Sequence, residues 1–408
     1  MLVAGEASGD LLAAELVSAL RERVPDAVFF GAGGAHLARA GVELVHDMGR
    51  FSVVGVTEVL LKLLELRRLL QQLLALAIQR QPDVIIGVDY GGFNLRLGHA
   101  VREYVRNNPF SKWKPKLVQF VSPQVWASRP GRARRLEADY DLLLSIFPFE
   151  KDWYARRAPR LPVVFVGHPM AGRFAESDLR FARRDPAHAA IRNPPNLVLL
   201  PGSRKSELKR HLPPMLDALA MIQEKFPDAK ITMILPGDAL LPLVVREISR
   251  RLGLLPRPSS ELLTVASVRD FVQKCFPHLE LQIGNLPPVL AEADLAISKT
   301  GTVTMECAFF GVPAVTFYKS SWLNYQIARH LIMVTTLTMP NLLANEEVYP
   351  EFIQTTLTSG NLAGAALDLL QNEARRQKIK AQLARVVASL GGPGAPGRAA
   401  AAILALPD

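Results

Sequence analysis

The chain has 408 residues, 49% hydrophobic and 21% charged, a globular composition that excludes a disordered or low-complexity protein and is long enough for two cores. Its formal charge of +10 suits nucleic acid, an anionic membrane surface or phosphorylated substrates, but structured basic-aromatic RNA-binding signatures are missing and Lys112-Trp113-Lys114-Pro115-Lys116 reads as a solvated loop, so no nucleic-acid partner is expected. Cys275 and Cys307 have neither metal-ligand nor CxxC spacing, and the start leaves no room for a secretory leader, so a cytoplasmic protein with cysteines in its cores is expected.

The first elements set the theme. A short apolar strand runs into Gly5-Glu6-Ala7-Ser8-Gly9-Asp10 and on into a helix over 13–22, with Ser8 placed as N-cap. Such a turn aims N–H groups and a helix start at whatever lies beyond the strand; an ordinary βα turn reads the same way. A second strand over 28–30 ends in Gly31-Ala32-Gly33-Gly34. Residues 51–74 then form a helix with an unusually wide apolar face, broken by Lys62, Glu65, Arg67 and Arg68 too often for a transmembrane span. It is either buried between neighbours or laid in a membrane interface, with Val56, Val59, Leu60 and Leu63 entering and Arg67 and Arg68 meeting lipid phosphates.

Val84-Ile85-Ile86-Gly87-Val88 is a continuous apolar run, the pattern of a parallel strand covered on both faces. Asp89 follows at its carboxyl end, where open α/β sheets bind ligands; a cap for the next helix, before Asn94, is the alternative. A strand over 116–121 delivers Ser122-Pro123-Gln124-Val125-Trp126, whose tryptophan either covers a ligand or fills a core. Residues 129–135 are a basic helix start that meets phosphate or water. Strands over 141–147 and 163–166 complete a sheet, and His168, with no serine or cysteine partner in view, is given no catalytic role.

Periodicity weakens over 171–195, then restarts with the strand Asn196–Leu200 and the turn Pro201-Gly202-Ser203-Arg204. Arg204 beside backbone N–H groups is a way to hold a diphosphate. Further strands fall at 231–235, 281–283, 294–298 and 313–318. Between the last two lies Lys299-Thr300-Gly301-Thr302, opening a helix through 310 in which Glu306 sits one turn below Thr302, placed to accept from ribose hydroxyls. Asn341 follows in Pro340-Asn341-Leu342-Leu343, where its amide could face the site. The fold expected is α/β, two Rossmann-like domains facing across a cleft: 1–170, a linker 171–195, 196–360, and a helical tail 361–408 packing back on the first domain.

Taken together, Val3-Ala4-Gly5-Glu6-Ala7-Ser8-Gly9-Asp10, Gly55-Val56-Thr57-Glu58-Val59-Leu60, Val121-Ser122-Pro123-Gln124-Val125-Trp126-Ala127, Phe147-Pro148-Phe149-Glu150, Leu200-Pro201-Gly202-Ser203-Arg204, Gly301-Thr302 with Glu306, and Pro340-Asn341-Leu342-Leu343 resemble the lipid-A-disaccharide synthase family, in that family's order and over nearly the whole chain. The resemblance implies an inverting, metal-independent glycosyltransferase of GT-B architecture, without cofactor. It would join UDP-2,3-diacylglucosamine to 2,3-diacylglucosamine 1-phosphate and release UDP, peripherally on the cytoplasmic face of the inner membrane; a homodimer is compatible with it. Asp89 matches the family's general base; Ser203, Arg204, Thr300, Gly301, Thr302, Glu306 and Asn341 match the UDP side; Gly5, Glu6, Ser8, Gly9, Asn94 and Ser122 form the acceptor side. Three positions depart: Gly92 where a second carboxylate is usual, Ser128 in place of a tryptophan, and Lys299 in place of a small residue. Rival readings are another GT-B sugar-nucleotide enzyme, an epimerase or soluble-acceptor transferase, or a non-catalytic descendant binding nucleotide-sugar or lipid.

Overall fold

The computed structural model describes residues 1–5, 7–48, 56–174, 191–254 and 264–407, with the backbone alone at 7 and 56–63. Glu6 and the side chains of Val56, Val59, Leu60 and Leu63, expected at the acceptor side and at a membrane, therefore lie outside the described residues. By internal contact the chain divides into two compact units, Met1–Arg173 with Leu390–Asp408, and Phe174–Ser389.

The first unit is a seven-stranded parallel sheet of order β3-β2-β1-β4-β5-β6-β7. Its strands are β1 (Leu2–Ala4), β2 (Phe30–Gly33), β3 (Glu43–Asp47), β4 (Val84–Val88), β5 (Lys116–Phe120), β6 (Leu142–Ser145) and β7 (Val163–Phe165). Both faces are covered, as continuous apolar strands require. One face carries α1 (Ala7–Arg21), α2 (Ala35–Arg39) and the C-terminal helix Ala395–Leu404, which bury Leu12, Leu16, Leu20, Ala399 and Ile403 with Ile86 and Val118. The other carries α3 (Val56–Arg80), α4 (Gly91–Asn107), α5 (Val125–Ser128), α6 (Arg132–Asp139) and α7 (Pro148–Ala155), burying Leu73, Phe93, Leu97, Trp113 and Tyr154 with Ile85 and Leu117.

Within α3, Leu69, Leu73 and Ala77 recur at one-turn spacing and are buried, while Leu64, Arg67 and Arg68 are exposed. Burial thus accounts for the C-terminal part of the helix. No helix among the described residues is long and apolar enough to cross a membrane. The C-terminal segment is tied in by Arg398, which donates to the carbonyls of Val166, Gly392 and Pro393, each at 2.7 Å, and by the carbonyl of Leu390, which accepts from the His168 N–H at 2.9 Å.

The second unit has a six-stranded parallel sheet, order β10-β9-β8-β11-β12-β13. Its strands are β8 (Asn196–Leu200), β9 (Lys230–Leu235), β10 (Leu279–Ile283), β11 (Leu295–Lys299), β12 (Ala314–Tyr318) and β13 (Glu351–Ile353). Helix Lys205–Gln223 follows β8 and helix Thr302–Phe309 follows β11; helices Ser359–Gln371 and Glu373–Ser389 belong to this unit. The part of the expected tail that joins the first unit is therefore 390–408.

In each sheet the chain winds outward in both directions from a central pair of strands, β1 and β4 in one and β8 and β11 in the other. Outside the carboxyl ends of such a pair the crossing helices diverge and leave a crevice. Each unit therefore offers one topologically favoured place for a ligand.

Candidate active site

In the first unit that place is framed by Gly5, at the end of β1, and Asp89, at the end of β4. Helix α1 begins at Ala7, so Ser8 is inside its first turn, exposed, and is not its N-cap; the turn after β1 is shorter than its composition suggests. A β-carbon on Gly5 would come within 2.3 Å of the Tyr90 ring, and one on Gly9 would lie 3.3 Å from the Asp89 β-carbon. The opening glycines thus admit the β4 loop itself.

Asp89 and Tyr90 are consecutive non-glycine residues in the left-handed region, at φ 51° and 44°. Each such residue costs on the order of 1–3 kcal/mol and persists only where surrounding structure imposes it. Here the restraints are visible. The Asp89 N–H donates to the Phe120 carbonyl at 2.6 Å, and its carbonyl accepts from the side-chain amides of Asn94 at 2.9 Å and Gln119 at 3.0 Å. Asn94 also donates to the carbonyl of Val3 at 3.1 Å, spanning the two strands that part at the crevice. The Asp89 side chain is left exposed.

Two expected acceptor contacts are corrected by this geometry. Asn94 is 2% exposed and its amide nitrogen is committed to the carbonyls of Val3 and Asp89, so it positions Asp89 from beneath. Ser122 is also buried and belongs to a separate network around Glu150, which is 0% exposed. Glu150 accepts from the Trp126 indole N–H at 2.8 Å and lies 2.7 Å from the Ser145 hydroxyl, with Ser122 a further partner. Burial pushes its carboxyl up to about 7, against the opposing pull of the Ser145, Trp126 and Ser122 hydrogen bonds. Ser145 has one hydroxyl proton and a second acceptor 2.7 Å away, the Phe147 carbonyl; a protonated Glu150 resolves the competition by donating to Ser145. Trp126 is 8% exposed and packs in this core.

His168 fills no catalytic position. Its ring nitrogen Nδ1 accepts from the Met170 N–H at 3.3 Å, and burial, then the charge of Arg173, push its pKa down to about 4.

In the second unit the crevice lies beyond β8 and β11. Gly202, at φ 125°, turns the chain so that buried Glu207 can reach back beneath it. Glu207 accepts from the N–H groups of Ser203 and Arg204 at 3.0 and 3.3 Å, and its other oxygen lies 3.6 Å from Lys299 Nζ and 3.9 Å from the Arg204 guanidinium. The N–H groups of Ser203 and Arg204 are therefore spent inside the protein, and the Arg204 side chain, 63% exposed, and the start of helix Thr302–Phe309 remain at the crevice. Thr302 is exposed there, Gly301 precedes it at φ 143°, and Glu306 is half-buried one turn in. Thr300 is buried, its N–H held by the Phe317 carbonyl at 2.9 Å.

Asn341 is brought elsewhere. It is 4% exposed, donates to the Tyr349 carbonyl at 2.9 Å and accepts from the N–H groups of Val348 and Tyr349; its amide is consumed by that loop and presents nothing to a ligand. Beneath the β8 turn, His211 donates from Nδ1 to the Pro201 carbonyl at 2.7 Å, and its Nε2 lies 3.1 Å from the Lys319 backbone nitrogen and 3.2 Å from the Lys319 carbonyl oxygen.

Sequence reasoning missed Gln119, Glu207 and Glu150. A glutamine in the otherwise apolar strand Lys116–Phe120 was a signal, since a buried amide needs partners. So was a glutamate three residues after the helix cap at Arg204, the spacing of a capping box. Glu150 was legible only as part of a motif, because two of its partners, Ser122 and Trp126, come from a stretch more than twenty residues upstream.

A family model described as lipid-A-disaccharide synthetase matches residues 1–246 and 267–403 of the chain. A lipid-A-disaccharide synthase of Solibacter usitatus is 34% identical over 406 residues, covering 99% of this chain and 96% of its own. Among solved structures, a calicheamicin glycosyltransferase has a TM-score of 0.56 at 17% identity, over 99% of this chain and 96% of its own. A UDP-GlcNAc 2-epimerase of Methanocaldococcus jannaschii, solved with UDP-GlcNAc and UDP, has the same score at 11% identity, over 99% of this chain and 98% of its own. At those identities the two structures speak for the shared two-Rossmann fold alone.

Proposed function

The chain belongs to the lipid-A-disaccharide synthase family, and from that premise we propose that Asp89 is its general base, with the acceptor bound by the first unit and UDP by the second. The protein is a glycosyltransferase of lipid A biosynthesis, joining UDP-2,3-diacylglucosamine to 2,3-diacylglucosamine 1-phosphate and releasing UDP. In the reaction, the acceptor's 6-hydroxyl oxygen bonds to the donor's anomeric carbon as the bond from that carbon to the diphosphate breaks. The hydroxyl proton passes to the Asp89 carboxylate, and the electron pair leaves with UDP.

The observation that carries this reading is the treatment of Asp89: a strained backbone, pinned through its carbonyl by two amides, holding an exposed carboxylate at the crevice of the sheet. Pinning the backbone reduces the freedom the carboxylate must lose before proton transfer. For UDP, the Arg204 guanidinium and the first N–H groups of helix Thr302–Phe309 favour the diphosphate as negative charge develops on it, and Glu306 accepts from the ribose. Asp89→Asn keeps the shape and removes the base. Disaccharide formation from the two lipid substrates should fall by about 10²–10⁴-fold; a variant retaining full activity would reject the assignment.

We also propose that the protein works peripherally on the cytoplasmic face of the inner membrane, with the N-terminal part of α3 as the contact. The exposed Leu64, Arg67 and Arg68 supply the apolar-plus-basic combination that an anionic surface attracts. Replacing Arg67 and Arg68 by glutamine should weaken sedimentation with phosphatidylglycerol vesicles, and unchanged sedimentation of the folded variant would reject the contact.

A further inference from the structure

Helices α4 and α6 pack side by side in the first unit, and a pocket between them is lined by Gly92, Arg96, His99, Arg132 and Arg135 at its rim and by the carboxylate of Asp139, which His99 holds, at its base. Gly92 and Arg96, one helical turn apart on α4, also line a second, mainly apolar hollow of about 550 Å³ whose other walls are Leu64, Leu66, Arg67, Leu70, Tyr90 and Phe93. That volume is within the range of small-molecule sites, roughly 300–1,000 Å³. The two hollows meet at Gly92 and Arg96; a β-carbon at position 92 would touch nothing within 4 Å, so the glycine leaves open space where they join. Tyr90, a wall of the apolar hollow, is the residue after Asp89, which puts that hollow beside the proposed base.

Arg96, Arg129, Arg132 and Arg135 are exposed, and among the described residues none of the four has an ion pair or side-chain hydrogen bond. Two other arginines of the unit are matched, Arg102 with Asp141 at 2.7 Å and Arg80 with Glu43 at 2.6 Å. The nearby acids are also engaged. Asp139, 2% exposed, is held by His99 at 2.8 Å with Arg106 at 3.8 Å, and Glu103 lies 3.8 Å from His99. Burial, and then the charges of Arg129, Arg96 and Arg135, hold the Arg132 guanidinium below its ordinary range. Arg132 also opens α6, at the positive end of its dipole. Four like charges gathered at a helix start, without a counter-ion, are an anion site in want of an anion, and an apolar hollow opening from it suits a chain attached to that anion.

We propose that the two hollows form one subsite for the lipid acceptor, the arginines taking its 1-phosphate and the apolar hollow one of its acyl chains. The assignment rests on the reading of the first unit as the acceptor side. An acceptor anchored at both ends of this subsite has its sugar next to Tyr90 and Asp89, and the mutual repulsion of the arginines is relieved when the phosphate arrives.

The test is isothermal titration of the protein with 2,3-diacylglucosamine 1-phosphate and with the same lipid lacking its phosphate, in one neutral detergent. The wild-type protein prefers the phosphorylated lipid. Arg132→Gln and Arg135→Gln should each reduce that preference by roughly tenfold, the usual weight of one charge-assisted hydrogen bond, whereas Leu64→Ser should weaken both lipids alike. All three positions are exposed, and unchanged melting temperatures will establish that the variants fold. Arginine variants that keep the wild-type preference would overturn the proposal. So would variants that keep it while losing cosedimentation with phosphatidylglycerol vesicles, since the arginines would then serve membrane headgroups. Turnover in the same preparations separates this subsite from the activity: a protein that forms no disaccharide rejects the catalytic reading, while the titration still decides where the phosphate binds.

Discussion

The two sheets share one strand plan but spend the polar groups at their crevices in opposite ways. In the first unit, two buried amides hold the backbone of Asp89 and leave its carboxylate outside. In the second, a carboxylate on the helix that follows β8 is turned inward: Glu207 takes the N–H groups of Ser203 and Arg204 and sits beside Lys299. One crevice is built to present an acid and the other to neutralise one, leaving cationic and N–H groups outermost. Equal topology thus fixes where a ligand goes, and the buried partners decide which charge it meets. Glu150 sharpens the contrast. Like Glu207 it is a buried acid of the sheet's carboxyl side, but its surroundings are neutral donors, and burial pushes its carboxyl up to about 7.

The contrast can be broken in three places. The largest effect belongs to Asp89→Asn, where a loss of about 10²–10⁴ in rate is expected, and urea unfolding of the same variant separates that loss from any change in stability. Glu207→Ala should do the reverse in kind. It strands two N–H groups and leaves Lys299 without its carboxylate, and should lower unfolding free energy by about 4 kcal/mol; a loss under about 1 kcal/mol would mean that the turn does not depend on its acid.

The smallest effect is a pH dependence. A carboxyl raised in the folded state binds its proton more tightly there than in the unfolded chain, so Glu150's contribution is complete below its ordinary value near 4.5 and is lost as pH climbs through about 7. The slope follows from the folded state holding more protons over that window, and its integral is about 3 kcal/mol. Glu150→Gln should flatten the dependence of melting temperature on pH between those limits; a variant with the wild-type slope would show that another group is responsible.

Much of the fold could be read from local pattern. Val84–Val88 and Asn196–Leu200 were legible as strands because a parallel strand covered on both faces is a continuous apolar run, and Asp89 stood out as the acid ending one of them. The strands Glu43–Asp47 and Glu351–Ile353 were not legible: the first is a half-exposed edge strand with mixed residues, and the second has only three residues. Ser8 was misplaced as a cap because the turn after β1 is shorter than its small residues imply. Asn94, Ser122 and Asn341 were misread for a common reason. A polar side chain near a strand or helix end looks the same in sequence whether it faces a ligand or a buried carbonyl, and the carbonyl of Val3 that Asn94 holds is 91 positions away.

The sequence by itself determined the alternation of strands and helices, the family to which the chain belongs, and the position of Asp89 at a strand end, because periodicity and motif order are local properties. Only the tertiary structure decided which polar groups remain for a substrate. It committed Asn94, Gln119, Glu207 and Asn341 to backbone partners and gathered Arg96 from one helix with Arg132 and Arg135 from another. Satisfaction of buried hydrogen bonds and convergence of like charges depend on which segments meet in space, and the crossing of strands and helices over a sheet sets that.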